Sequence, residues 1–141
     1  MQKVETVALI IDLKPNEKIL IGSAVITNGD QRARLHIAGD AAIMREKDVM
    51  KEDEADTPCR KIYFLVQCMY LAANPKPYHE PYFALINEIQ KAAPTTSVFF
   101  MKINDMIIDA KYYKALKEAR DLVKYEEELL SDVGQQHNHG A

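Results

Sequence analysis

The sequence lacks the long apolar run that a membrane-spanning helix requires, since no stretch of about 18 apolar residues or more occurs. The N-terminal segment also lacks the layout of a secretory signal. Its apolar run is short, has Glu5 and Asp12 at its edges, and precedes no small-residue cleavage site. We therefore expect no membrane span and no export, and a cytoplasmic location.

Cysteine is scarce, with only Cys59 and Cys68 in the chain. They lie in a segment predicted to be helical, and their spacing places them on opposite faces at about 100° per residue. We therefore expect no disulfide between them, which is typical of a reducing compartment. Cys59 stands where a helix dipole would lower the pKa of its thiol, but no partner base is evident.

Motifs of common catalytic and cofactor sites are absent. The chain has no glycine-rich phosphate-binding loop, no Gly-x-Ser-x-Gly elbow, no His-Glu-x-x-His and no Cys-x-x-Cys. His36 and His79 stand alone, and His137 and His139 lie in a polar terminal segment. We therefore predict a protein that is not an enzyme, with no catalytic residue, metal site, cofactor or small-molecule substrate.

The net charge is −3, from 18 basic and 21 acidic residues, which argues against bulk attraction to nucleic acid. The distribution is uneven, because residues 52–56 form an acidic block and the arginines cluster earlier in the chain. Any RNA or DNA site must therefore be a local, salt-sensitive patch with few phosphate contacts.

Short aliphatic and β-branched runs in the first fifty residues predict about five antiparallel strands. These runs are residues 5–13, 18–21, 23–27, 31–37 and 41–45. Asn28-Gly29 predicts a tight hairpin turn, after which residues 31–37 pair back on the preceding strand. Gly22 marks either a strand end or a bulge within one longer strand.

The strand at residues 31–37 alternates between polar and apolar side chains. Its two sets are Arg32, Arg34 and His36 on one face, and Ala33, Leu35 and Ile37 on the other. A sheet with one apolar and one cationic face suggests a surface for polyanions, although an ordinary solvated face has the same pattern. Arg45 follows the final strand, where we expect an exposed head and little effect of Arg45→Ala on stability.

Helical patterns replace the strands after residue 47. Thr57-Pro58 reads as an N-cap followed by proline at the first helical position. The helix over residues 59–73 contains an apolar run interrupted by Gln67, which suits the middle of a bundle or an oligomer interface. Three further helices are predicted over residues 81–93, 98–108 and 111–130.

Strands followed by helices predict an α+β fold. We expect an N-terminal β subdomain at residues 1–51 with a predicted RNA-binding role, a bundle of about four helices at residues 52–131, and a disordered tail at residues 132–141. The glutamates at 126–128 are interpreted as a solvated helix face. The helical tyrosines are interpreted as packing residues rather than base-stacking platforms; they are Tyr63, Tyr70, Tyr112 and Tyr113.

Six landmarks occur in order between about Leu9 and Leu130. They are LKPNEK at 13–18, RARL at 32–35, REKD at 45–48, the acidic block into Thr57-Pro58, IYFLVQCMY at 62–70 and YYKAL at 112–116. Together they resemble the flagellum biosynthesis repressor family FlbT. The resemblance implies a post-transcriptional regulator that acts on the 5′ untranslated region of flagellin mRNA alongside the small protein FlaF. Translational repression with message decay is the usual account of the family, and some members are described as activators.

A fainter resemblance covers the strand half alone. NEKILIG at 16–22, RLHI at 34–37 and MREK at 44–47 look like the carbon storage regulator family CsrA, which forms interlaced β dimers and binds GGA-containing RNA loops. Arg45 matches a basic position of that family. Leu13 and Lys14 replace its paired arginines on the first strand, and the segment before Arg45 is about two residues shorter. The resemblance therefore favours backbone contact with RNA over GGA-type base reading.

The leading hypothesis is an RNA-binding translational regulator that binds the flagellin mRNA leader. The residues expected to contact RNA are Lys14, Arg32, Arg34, Arg45 and Lys47. The alternative is a protein-interaction module or chaperone-like partner of FlaF or flagellin without RNA contact, which the acidic net charge and the apolar first helix favour. A homodimer is also predicted, because strand exchange would satisfy open strand edges.

Overall fold

The computed structural model describes residues 9–139, with side chains for residues 9–132. The chain divides into two compact units, the first ending at Val49 and the second beginning at Met50. The first unit contains five antiparallel strands and the second contains the helices. This arrangement confirms the α+β fold class.

The strands of the first unit form two sheets. They are β1 (Leu9–Leu13), β2 (Lys18–Ile21), β3 (Ala24–Thr27), β4 (Ala33–Ile37) and β5 (Ile43–Arg45). One sheet pairs β1 with β4, and the other has the order β3-β2-β5. Strand β1 covers the second part of the predicted strand at residues 5–13, whose first four positions lie outside the described residues.

The hairpin predicted at Asn28-Gly29 is wrong. The tight turn lies at Gly22-Ser23, since Ile21 pairs with Ala24, and the φ of +60° at Gly22 suits the first central residue of a type II′ turn. The side-chain Nδ2 of Asn28 instead donates to the backbone carbonyls of Lys14 (2.9 Å) and Gln31 (2.8 Å). Because the turn at Gly22 pairs β3 with β2, β4 pairs with β1.

The apolar core of the first unit is small. Ile11, Leu13 and Ile19 are buried in it. The half-buried side chains around them are Ile21, Leu35, Ile37 and Ile43. The alternation predicted for β4 is confirmed, since Arg34 and His36 are exposed while their neighbours along the strand are half-buried. Because this described core has few buried side chains, polar contacts between the two sheets contribute a larger share of what holds them together.

Four α-helices, matching the predicted number, follow in the second unit. They are α1 (Pro58–Leu71), α2 (His79–Ala92), α3 (Ser97–Ile108) and α4 (Tyr112–His139), with short 3-10 turns before α2 and α3. Thr57 caps α1 as predicted, because its side chain accepts the Arg60 N–H at 3.2 Å. Helix α4 extends beyond its predicted end at Leu130. Disorder of residues 132–141 stays a prediction, because the structure describes no side chains beyond residue 132.

Helix α1 occupies the middle of the bundle, where it contacts both α2 and α4. Ile62 and Val66 are completely buried, and Met69 is nearly so. The large apolar side chains that are exposed among the described residues lie on β1, β3, α3 and α4, and none lies on α1. Of the two environments predicted for this helix, the bundle centre is therefore the observed one.

The polar interruption in α1 is explained by a backbone contact. Gln67 is 3% exposed, and its side chain accepts the Met50 N–H at 2.8 Å and donates to the Met50 carbonyl at 2.9 Å. One amide group thus satisfies both polar groups of the first residue in the helical unit.

We predict that Gln67→Leu lowers the free energy of unfolding by about 1–3 kcal/mol, because it leaves the N–H and the carbonyl of Met50 without partners. Urea titration followed by far-UV circular dichroism measures this change. Asn87→Leu, at an exposed position of α2, is the control and should change stability by less than about 0.5 kcal/mol. Equal stability of Gln67→Leu and the parent would show that this contact contributes nothing.

Candidate nucleic-acid interface

The five predicted RNA-contacting residues all lie in the first unit, on three different segments. Arg32 and Arg34 belong to the β4 segment, Arg45 ends β5 and Lys47 follows it in a 3-10 turn. Lys14 begins the turn after β1. The three arginines act electrostatically on the carboxylate of Asp12.

Arg34 and Asp12 face each other across the β1–β4 pair. The Arg34 Nε donates to Asp12 Oδ1 at 2.9 Å, and both side chains are about two-thirds exposed. This hydrogen bond is the chief cause that lowers the pKa of Asp12, and it raises the pKa of Arg34. Because exposed ion pairs contribute little to stability, this one exchanges readily for a contact with another anion.

Arg45 bridges the two sheets. Its Nη1 donates to Glu17 Oε2 at 2.9 Å, and its Nη2 donates to the backbone carbonyl of Asp12 on β1 at 3.1 Å. The side chains of Arg45 and Glu17 are 30% and 16% exposed. The expectation of an exposed head is therefore wrong, because the guanidinium group is partly buried and reaches from β5, in the sheet β3-β2-β5, to β1 in the other sheet.

Glu17 holds the turn between β1 and β2. Its Oε1 accepts the Lys14 N–H at 3.0 Å, and this bond is the chief cause that lowers the pKa of Glu17, with Arg45 and Lys47 adding to the effect against burial. A lowered carboxyl pKa favours the folded state at neutral pH. That contribution is lost as the pH falls through the pKa of the folded protein.

Lys14, Arg32 and Lys47 remain exposed, and none forms an ion pair within the part of the chain that the structure describes. Arg32 acts electrostatically on Asp12 and Lys47 on Glu17, while the backbone N–H of Lys14 donates to Glu17, so all three lie near the acids that bind Arg34 and Arg45. Asp12 and Glu17 reduce the local positive potential, so the patch suits a few phosphate contacts rather than tight, nonspecific binding.

Sequence reasoning missed a polar cluster at the start of α1. Glu126 of α4 accepts from the Thr57 hydroxyl, and its Oε2 accepts the Cys59 N–H at 3.1 Å. The neighbouring Glu127 bonds the Arg60 guanidinium at 3.4 Å. The interpretation of residues 126–128 as only a solvated face is therefore wrong for Glu126, whereas Glu127 is exposed as that interpretation expects. Both glutamates place negative charge at the positive end of the α1 dipole.

Burial and this cluster together keep the Cys59 thiol protonated. Burial, reinforced by the Glu126 carboxylate, raises the pKa of Cys59 to about 12. The thiol is therefore protonated at neutral pH, which is the reverse of the activation that a helix start offers. Both cysteines are free, as predicted.

Among the described residues, no three His, Cys, Asp or Glu side chains are grouped in a way that could hold a metal ion. In the same part of the chain, no helix combines the length and the apolar character needed to cross a bilayer.

A family model for the flagellar protein FlbT matches residues 9–130 of the chain. The chain belongs to the FlbT family. A probable flagellum biosynthesis repressor protein FlbT from Bradyrhizobium diazoefficiens is 44% identical over 86% of this chain and 84% of its own length. The Rhodopseudomonas palustris protein of that name is 44% identical over 87% and 98%, and the Caulobacter vibrioides repressor FlbT is 37% identical over 89% and 91%. No solved structure was found to match.

The FlbT match includes all five predicted RNA-contacting residues, which fall inside residues 9–130. It also includes Asp12 and Glu17, the two acids that sequence reasoning missed. The signal that identifies Asp12 is the pairing of β1 with β4, which places it opposite Arg34 although 22 positions separate them.

We predict that Arg45→Ala lowers the free energy of unfolding by about 1–2 kcal/mol, because it removes two hydrogen bonds that join the sheets and leaves Glu17 without its cation. Arg34→Ala is the matched control and should change stability little, since its ion pair is exposed. Chemical denaturation of both variants measures the difference. The bridging role is refuted when Arg45→Ala is no less stable than Arg34→Ala.

Proposed function

We propose that this FlbT-family chain is a post-transcriptional regulator of flagellin synthesis. It binds the 5′ untranslated region of flagellin mRNA, represses translation and promotes message decay during flagellum assembly. The observation that supports RNA binding most strongly is the set of exposed cations at Lys14, Arg32 and Lys47, which lie near Asp12 and Glu17 and form no ion pair with any described residue. The flagellar context comes from relatives that are named repressors of flagellum biosynthesis.

The chemistry of this surface suits a flexible, anionic ligand. Arg34 binds Asp12 through its Nε, and no contact of its two Nη groups is seen with the residues that the structure describes, so these groups are offered to a phosphate or a base edge. Arg32 and Lys47 supply further cations on neighbouring segments. Occupying an mRNA leader near the ribosome site is enough for repression and requires no catalytic group.

Arg45 has a different part in the proposed function. Its guanidinium group already bonds Glu17 and the Asp12 carbonyl, so its main contribution is to hold the two sheets that carry the other cations. Loss of RNA binding in an Arg45 variant is therefore interpretable only together with its stability.

We predict that Arg32→Ala and Lys47→Ala each weaken binding of the flagellin leader severalfold. Each should also lower the slope of log affinity against log salt by about 0.7–1, because each removes one phosphate contact. Fluorescence anisotropy of labelled leader RNA across a salt series provides both quantities. Lys18→Ala changes an exposed lysine of β2 and is the matched control, expected to bind as the parent does. Unchanged affinity and slope in both test variants would move the RNA surface away from this unit.

A second candidate function is a protein-interaction module that holds a FlaF-like protein without touching RNA. One observation favours it: Val98, Met101 and Ile108 are 63%, 69% and 74% exposed. Their spacing along α3 places them on one side of the helix. A parent chain that captures the FlaF-like protein through this side and shows no affinity for leader RNA would make this the better account. In the leading proposal, the FlaF-like protein is a partner that acts beside the RNA.

We also propose a homodimer, which open strand edges support. Strand β3 lies at the edge of its sheet and is exposed along its whole length, with Val25 at 61% and Ile26 at 37%. An exposed apolar edge strand is a template for pairing with another chain.

We predict that sedimentation velocity at micromolar concentration shows a dimer of the 16.0 kDa chain. Val25→Lys should shift the equilibrium toward the monomer, because a charge on an apolar edge strand opposes edge pairing. Asn87→Lys, at an exposed position of α2 away from this edge, is the control for added charge alone. A single 16.0 kDa species at every concentration would rule out the dimer.

A further inference from the structure

Basic side chains concentrate at one end of α4, in the helical unit. Lys111, Lys114 and Lys117 lie within one short segment that contains no acid, and Asp109 and Glu118 bound it. All three lysines are exposed, and none forms an ion pair among the residues that the structure describes.

This placement is unfavourable for the isolated helix. The first turn of a helix carries positive partial charge, which acidic side chains stabilise and basic side chains oppose. Helix α4 has no acid in its first turn, and its lysines begin there. The folding of α4 therefore does not explain the lysines, whereas an anionic ligand would offset their mutual repulsion.

An aromatic ring lies among these lysines. Tyr113 is 49% exposed, and its ring centroid is 5.5 Å from that of Tyr70 on α1. The Lys117 Nζ lies 4.9 Å from the Tyr113 ring centroid. The interpretation of the helical tyrosines as packing residues suits buried Tyr63, but Tyr113 presents half of its surface to solvent.

The start of α4 is held in position by a contact between Tyr112 and α2. The hydroxyl of Tyr112 is 3.1 Å from Nε2 of His79, the first residue of α2. Since Tyr112 is half-buried and anchored, Tyr113 and the lysines project from a supported helix end rather than from a frayed one. A rise of 1.5 Å per residue places the three lysines along about 9 Å of the helix axis.

We propose that Lys111, Tyr113, Lys114 and Lys117 form a second contact for single-stranded RNA. This inference rests on the proposed function, because the ligand is the same RNA, and it adds a surface on the helical unit. The lysines contact successive phosphates. The ammonium group of Lys117 leaves the Tyr113 ring for a phosphate, and one base stacks on the ring in its place.

The composition of this surface favours RNA over an acidic protein. Lysine is depleted in protein–protein interfaces, whereas it is a common point-charge ligand of phosphate. A base has a flat face that stacks on an exposed tyrosine ring, whatever the base is.

The test uses the full chain and two labelled single strands, the flagellin leader segment and oligouridine of equal length, in fluorescence anisotropy across salt. Tyr113→Ala should weaken binding of both about tenfold with an unchanged salt slope, because it removes stacking without charge. Tyr113→Phe keeps the ring and should bind as the parent does. The double variant Lys114→Gln/Lys117→Gln should lower the salt slope by about 1.4.

The control is the double variant Lys61→Gln/Lys91→Gln, which removes two exposed lysines from α1 and α2 and should bind both strands as the parent does. Thermal melting verifies that each variant is folded. If Tyr113→Ala lowers the melting temperature, the test rests on the salt slope of the Lys114→Gln/Lys117→Gln variant, which alters only exposed side chains. An unchanged slope in that variant would then overturn the inference.

Three results overturn the inference. If the helix variants bind as the parent does while Arg32→Ala and Lys47→Ala lose affinity, this surface is not an RNA contact and the proposed function stands. If the helix variants keep RNA binding and lose an acidic partner protein, the surface is a protein site. If the parent binds neither strand, the inference and the proposed function both fail.

Discussion

The guanidinium group of Arg45 joins two sheets whose described strands form no ladder with each other. It reaches from β5 to the carboxylate of Glu17 and to the backbone carbonyl of Asp12 on β1. Among the described residues of the first unit, the core cluster has three buried aliphatic side chains, Ile11, Leu13 and Ile19, so this core is small for the surface that it supports. The geometry of the cationic surface therefore depends on this partly buried bridge, which salt screens less than an exposed pair.

The same acids that organise the unit also limit its attraction for nucleic acid. Asp12 faces Arg34, and Glu17 binds Arg45, so a pure row of arginines does not exist on this surface. An acid-paired arginine keeps a defined position before its ligand arrives, and an exposed pair opens at little cost. A surface of this kind suits the reversible binding of RNA that we propose.

The sequence carried the local features of the fold. The alternation in β4, the Thr57 cap of α1 and the central position of α1 follow from side-chain periodicity and from capping chemistry. The turn at Gly22 was harder to predict, because Asn28-Gly29 is the stronger hairpin signal by composition. The side-chain amide of Asn28 instead donates to carbonyls that lie up to 15 positions away, and local sequence propensity does not predict such distant contacts.

The candidate site shows the same limit. Periodicity placed Arg34 on a polar face, but the partner of Arg34 depends on which strand β4 pairs with. The contact between Thr57 and Glu126 spans 69 positions, so no local pattern separates Glu126 from the solvated glutamate beside it. The exposure of Tyr113 likewise depends on how α1 and α4 pack together, which the sequence of α4 alone does not determine.

Photo-crosslinking tests the central claim, that the first unit binds the flagellin leader, most directly. The full chain is mixed with leader RNA containing 4-thiouridine, irradiated and digested, and the crosslinked peptides are identified by mass spectrometry. The account predicts crosslinks to peptides that contain residues 32–37 and 45–48, suppressed by excess unlabelled leader. Crosslinks confined to the helical unit, or none at RNA concentrations that saturate a positive-control RNA-binding protein, would contradict it.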